Sequence, residues 1–252
     1  MLITALDHLA LAVPDVGTAA AEYALLLGQT SQSTAGGARL QCENIGLGLE
    51  AGGAGAAAQT GVPLRLVFAT ADLADTAHRL TRRGLPGEIR DGALHLKREA
   101  THGVGISLVA GAAGTADAAT SDIAGLDHVV VRTQDAERAV ALYGGRLGLD
   151  LRLDRARPDL GVRQMFFVVG GLVVEIVQSL KEEPAPEKAD IIWGLAWRSR
   201  DIAATRARLV AAGIGVSEVR DGRKAGTRVA TVKTHVSGVP TLLIGGEGLE
   251  RH

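Results

Sequence analysis

The chain has a single cysteine, Cys42. An intrachain disulfide is therefore impossible, and a reducing compartment suits the sequence. Neither sign of charge is in excess: 27 Lys and Arg against 28 Asp and Glu leave a net charge of −1. That excludes the basic footprint of a nucleic-acid or anionic-membrane binder. No apolar run approaches the ~20 residues of a spanning helix. The opening MLITALDH enters a repeated pattern at once, so no signal peptide is expected. Aromatic residues are scarce at 3%, yet both tryptophans and two of the three phenylalanines fall in the C-terminal half. What is plentiful is aliphatic: 46% hydrophobic residues with 22% charged is a globular composition. A soluble, cytoplasmic protein of about two domains is expected.

The most informative feature is internal repetition. LDHLALAVPD at 6–15 returns as LDHVVVRTQD at 126–135, an offset of 120, and Ala19, Tyr23, Leu27 and Gly28 reappear as Ala139, Tyr143, Leu147 and Gly148. A second echo, offset 129, lays FATADLADTAHRLTRRG at 68–84 over WRSRDIAATRARLVAAG at 197–213. EIRDG at 88–92 likewise returns as EVRDG at 218–222. Four related units follow, beginning near 5, 64, 125 and 192. Each opens on an apolar strand, then an Asp (15, 72, 135, 201) suited to cap a helix, then a Gly (28, 84, 148, 213) suited to end it. The Asp-to-Gly spacings of 13, 12, 13 and 12 give helices of about three turns. Extended segments follow, with DG turns at 91–92 and 221–222 that suit hairpins. Each unit reads β-α-β-β-β. Connectors lie at 51–61 and 180–190, and the small, flexible stretch 110–125 marks a boundary between domains at 1–112 and 122–252.

Four βαβββ units with His on the first strand of alternate units resemble the vicinal oxygen chelate superfamily. That group holds glyoxalase I, extradiol dioxygenases, methylmalonyl-CoA epimerases, and fosfomycin and bleomycin resistance proteins. The resemblance spans essentially the whole chain and is most specific at LDHVVVRTQDAERAVALYGGRLGLD, 126–150. It implies an α+β fold of two domains, each of two βαβββ modules whose strands curl into a cup. It also implies a divalent metal ion, held by residues on the first and last strands of a module, that chelates two neighbouring oxygens of a substrate.

The repeat shows which of those ligands this chain supplies. His8 and His128 stand seven residues before Asp15 and Asp135, whereas the same position holds Arg65 before Asp72 and Gly194 before Asp201. On the last strands, Glu175 sits within GGLVVEIV, while the equivalent run NIGLGLE offers Gly48, with Glu50 two residues further along. The remaining modules offer Ser107 and Leu242. The better metal or acid/base pair is therefore His128 with Glu175, and the poorer is His8 with Glu50. Two ligands fall short of the three typical of a catalytic ion, which His102 or His235 would have to complete. Against this stand bland readings: a hydrogen-bonded structural His, and a Glu reaching water at an edge.

Arg132 shares strand parity with His128, and Arg198 with Gly194. Guanidiniums facing a cup suit a carboxylate or phosphate, or else an ion pair with an acid such as Glu175. Phe167 and Trp193 are candidates for the cup wall, and Tyr23 and Tyr143 for packing. Three readings remain. The first is a metal-dependent isomerase or lyase of the glyoxalase kind, acting on a small anionic or aromatic metabolite in the C-terminal cup. The second is a metal-free acid/base enzyme using His128 and Glu175. The third is a metal-free binding protein of the resistance type. Ring-cleaving dioxygenation is disfavoured because Gly194 stands where a His is wanted. The expected partner is a small molecule, with no nucleic acid and no membrane, in a monomer or homodimer.

Overall fold

Each of the four helices starts on the aspartate named above, whose backbone is extended and whose carboxylate accepts from an N–H of the first turn. Asp15 accepts from Thr18, Asp72 from Asp75, Asp135 from Arg138, and Asp201 from both Ala203 and Ala204. Gly28, Gly84, Gly148 and Gly213 all adopt left-handed backbone, with φ between 62° and 83°, and there the chain leaves the helix. The computed structural model describes residues 2–52, 63–111, 121–185 and 187–247. Most of the connectors 51–61 and 110–125, and the side chain of His235, lie outside the described residues.

The four modules follow in order. The first is β1 (Ala5–Val13), α1 (Val16–Leu27), β2 (Gln32–Thr34), β3 (Gly37–Gln41) and β4 (Gly46–Ala51). The second is β5 (Leu64–Thr70), α2 (Leu73–Arg82), β6 (Gly87–Arg90), β7 (Ala93–Leu96) and β8 (Gly105–Ala110). The third is β9 (Ile123–Thr133), α3 (Ala136–Val140), β10 (Asp150–Arg157), β11 (Val162–Val169) and β12 (Leu172–Ser179). The fourth is β13 (Ile191–Ser199), α4 (Ile202–Ala211), β14 (Arg220–Asp221), β15 (Arg228–Val236) and β16 (Val239–Gly245). The strands form two eight-stranded, cup-like sheets, ordered β2-β3-β4-β1-β5-β8-β7-β6 and β10-β11-β12-β9-β13-β16-β15-β14. The fold is α+β, four βαβββ modules whose strands form these two sheets.

Two details differ from the expected pattern. The third helix is α-helical only to Val140 and continues as a π-helical turn over Ala141–Arg146. That turn contains Gly144 and Gly145, weak helix formers, and a Cβ on Gly144 would stand 3.3 Å from the Phe167 ring. The DG pairs also diverge. Asp91 and Gly92, at φ 51° and 76°, form the two-residue turn joining β6 to β7. After Asp221 the chain instead makes a longer loop, closed by Gly222 N–H donating to the Thr227 carbonyl at 2.8 Å.

By packing, the described residues of Met1–Leu9, Leu64–Ala113 and Val130–Ile192 form one compact unit. Those of Ala10–Pro63, Gly114–Val129 and Trp193–His252 form the other. Each unit thus takes one module from each half of the chain. In the first, Tyr143 and Phe167 are fully buried with ring centroids 5.7 Å apart, and the hydroxyls of Thr70 and Thr76 meet at 2.6 Å. The latter contact recurs in the second unit as Ser199 with Thr205 at 2.8 Å, which explains why a threonine is repeated at 76 and 205. In the second unit Arg208 of α4 holds Asp122 at 2.8 and 2.9 Å and donates to the Leu25 carbonyl at the end of α1. Cys42 is buried there, and burial pushes its thiol up to about 12. Because the thiolate is the reactive form, Cys42 is expected to resist a disulfide reagent at pH 8 and to react once the chain is unfolded. Rapid labelling of the folded protein would show the side chain to be accessible.

Candidate functional site

On β9, residues 129, 131 and 133 are buried, whereas His128, Val130 and Arg132 are only partly so, as strand alternation requires when one face packs on a core. On β12 the even positions Leu172, Val174 and Ile176 are all but fully buried, and Glu175 lies on the opposite face at 8% exposure. A carboxylate there needs partners. Gln164 of β11 donates from Nε2 to Glu175 Oε1 at 2.7 Å, and both residues are buried. The register pairs Glu175 with Phe166, which is half-buried. In the first compact unit, then, an acid, an amide and an aromatic ring share one sheet face. Neither Gln164 nor Phe166 was singled out from the sequence. The signal was the Gly170–Gly171 turn, both residues at positive φ, from which counting outward pairs 166 with 175. Phe167 sits on the core face against Tyr143, away from Glu175.

In the second unit His128 Nδ1 lies 2.8 Å from Asp127 Oδ2. Arg198 donates to the Leu126 carbonyl at 3.2 Å, and its Nε stands 3.7 Å from Asp127 Oδ1. That Nε is buried, and no hydrogen-bond acceptor reaches it among the described residues. Asn44, from the N-terminal half, donates to the Leu126 carbonyl at 2.8 Å and accepts from the Leu126 N–H at 3.0 Å, so one side chain acts as a strand partner. Gly125 makes room for it: a Cβ there would stand 2.0 Å from Asn44 Oδ1. Asn44→Ala would strip both backbone groups of that partner and is expected to cost about 1–3 kcal/mol in chemical denaturation. Gly125→Ala should displace the same amide and lower stability as well. An unchanged midpoint in both variants would show that this tether is idle.

The other candidates are spread more widely. His8 repeats the local geometry, with Nδ1 2.7 Å from Asp7 Oδ2, but the residue matching Arg198 by the 129 offset is Ala69. Glu50 is half-buried on β4, opposite Gly37. Arg132 is ion-paired with Glu182 at the surface. Trp193 is 53% exposed, and it is Trp197 that is fully buried. Gly194 is closed to any side chain, since a Cβ would approach the Pro240 carbonyl oxygen to 2.8 Å. In the first unit the Ser107 hydroxyl meets His95 Nδ1 at 3.0 Å, and burial together with Arg65 and Arg90 holds that imidazole below its ordinary pKa. His102 accepts from Arg146 at 3.0 Å and is lowered likewise by burial and by Arg138 and Arg146.

Among the described residues no group of three or more His, Cys, Asp and Glu side chains is placed to hold an ion. His128 Nδ1 is engaged by Asp127, Glu175 by Gln164, and His102 lies among arginines. Among the described residues no helix is long and apolar enough to cross a membrane.

Residues 127–231 match the model of the glyoxalase/bleomycin resistance protein/dioxygenase superfamily. A mutant of 4-hydroxymandelate synthase from Streptomyces coelicolor is similar over 100% of this chain and 95% of its own, at 13% identity and a TM-score of 0.71, so the whole chain shares the fold of that structure. Methylmalonyl-CoA epimerase from Mycobacterium tuberculosis is 26% identical over 50% of this chain and 91% of its own, with a TM-score of 0.42. No curated protein matches the chain.

Proposed function

We propose that this chain is a vicinal oxygen chelate protein that binds a small anionic metabolite and moves a proton on it without a metal step. His128 takes and returns the proton, and Arg198, in the same compact unit, holds the anionic group. The observation that carries this reading is Asp127, whose carboxylate meets His128 Nδ1 at 2.8 Å through one oxygen and stands 3.7 Å from Arg198 Nε through the other. Arg198 adds a guanidinium whose buried Nε lacks an acceptor among the described residues, which suits a planar anion. Proton abstraction beside a carbonyl, as in an isomerase or a lyase, needs no more than a base, an acid and a held substrate. Gly194 supports keeping ring-cleaving oxygenation aside, because the third ligand of a two-His, one-carboxylate set has no room there.

The test is hydrogen exchange. Chelator-treated protein is incubated in D₂O with a panel of 2-oxo acids, 2-hydroxy acids and acyl thioesters, and loss of each α-proton signal is followed by NMR. The expected result is exchange of at least one class by the native protein and a large loss of it in His128→Gln. Binding seen as a thermal shift, with no exchange, would favour the metal-free binding protein instead. Exchange that appears only on adding a divalent ion would sink the metal-free mechanism.

A further inference from the structure

We infer that Asp127 is a positioning residue that holds His128 in one tautomer, with Nδ1 protonated and Nε2 carrying the lone pair. This rests on the reading of His128 as a proton-transfer group. Neighbouring strand residues point to opposite faces, and Asp127 has the parity of the buried Val129 and Val131, not that of His128. Its carboxylate nevertheless turns to the imidazole, Oδ2 to Nδ1 at 2.8 Å, and remains partly exposed. A carboxylate only accepts hydrogen bonds, so the nitrogen facing it must be the donor. Arg198 Nε lies 3.7 Å from the other oxygen, so a guanidinium stands beside this carboxylate. The same guanidinium and the Asn44 amide both donate to the Leu126 carbonyl, one residue earlier, which fixes the backbone from which Asp127 and His128 project.

The repeat provides an internal control. Asp7 and His8 make the same contact at 2.7 Å, so the Asp-His pair alone does not mark a site. In the second copy a guanidinium also stands beside the carboxylate, with Arg198 Nε 3.7 Å from Asp127 Oδ1. An orienting carboxylate of this kind acts through the histidine: it selects which ring nitrogen can accept the proton.

The tautomer can be read without a ligand. In ¹⁵N-labelled full-length protein at pH 8, long-range ¹H–¹⁵N spectra report the state of each imidazole, with His128→Gln assigning the resonance. The expected result is a single Nδ1-protonated form for His128, which becomes a tautomer mixture in Asp127→Asn and Asp127→Ala. Arg198→Met should broaden the same preference while leaving His8 unchanged. The isosteric Asp127→Asn variant, checked for native amide dispersion, guards against a result caused by misfolding. A native His128 protonated on Nε2, or one whose tautomer is the same in both Asp127 variants, would overturn the inference. Failure of α-proton exchange with this tautomer intact would count against the proton-transfer reading and not against the positioning role.

Discussion

Replacing His128 by alanine is expected to lower α-proton exchange by about 10²–10⁴-fold, the range over which a positioned acid or base contributes. The matching change at His8 should leave exchange as it is. The contrast is informative because the two histidines are local twins, each with Nδ1 at 2.7 or 2.8 Å from the preceding aspartate. Beside the second pair stands Arg198, whose Nε is 3.7 Å from Asp127 Oδ1, whereas the offset of 129 puts Ala69 at the matching position of the first half. Rates measured side by side for native, His8→Ala and His128→Ala proteins decide it. Equal losses from both histidine variants would mean that the pair serves the fold, and the second sheet would lose its claim to the site.

The largest expected effect on stability lies away from that site. Asp190 has a fully buried side chain, and its Oδ1 accepts from Arg138 at 2.5 Å. Arg138, 12% exposed, also donates to the Lys188 carbonyl at 3.0 Å. Burial holds the Asp190 carboxyl above its ordinary pKa although Arg138 pulls the other way. Desolvation therefore outweighs the attraction, the balance in which a buried ion pair adds little net stability yet is expensive to break. Asp190→Ala is expected to cost about 3–5 kcal/mol, because it leaves the guanidinium without its carboxylate. Changing both partners together, Arg138→Met with Asp190→Leu, should cost far less than the two single changes added. A double-mutant cycle by urea denaturation measures this. A single-variant loss below about 1 kcal/mol would show the pair to be solvated like a surface bridge.

Much of the fold was legible in the chain because its determinants are local and occur in four copies. An aspartate that caps and a glycine that accepts positive φ act on the first and last turns beside them, so Asp15 and Gly28 can be read without knowing what packs against α1. Alternation likewise placed Glu175 on the face of β12 opposite Val174 and Ile176. The π-helical turn was hidden, because the Asp-to-Gly spacing of 13 that frames it is the same as that of α1.

What the sequence by itself determined is the modular plan: four capped βαβββ units, two sheets, and the strands that carry candidate chemistry. Tertiary structure alone decided the partners. Gln164 reaches Glu175 only through an antiparallel register, Asn44 meets Leu126 across 82 residues, and Arg198 comes alongside Asp127 from another module. Closure of position 194 by the Pro240 carbonyl likewise depends on how two strands pack. Periodicity tells each side chain which face it takes. Which groups then lie within hydrogen-bonding distance depends on strand order and register, and those are settled when distant modules bury their apolar faces together.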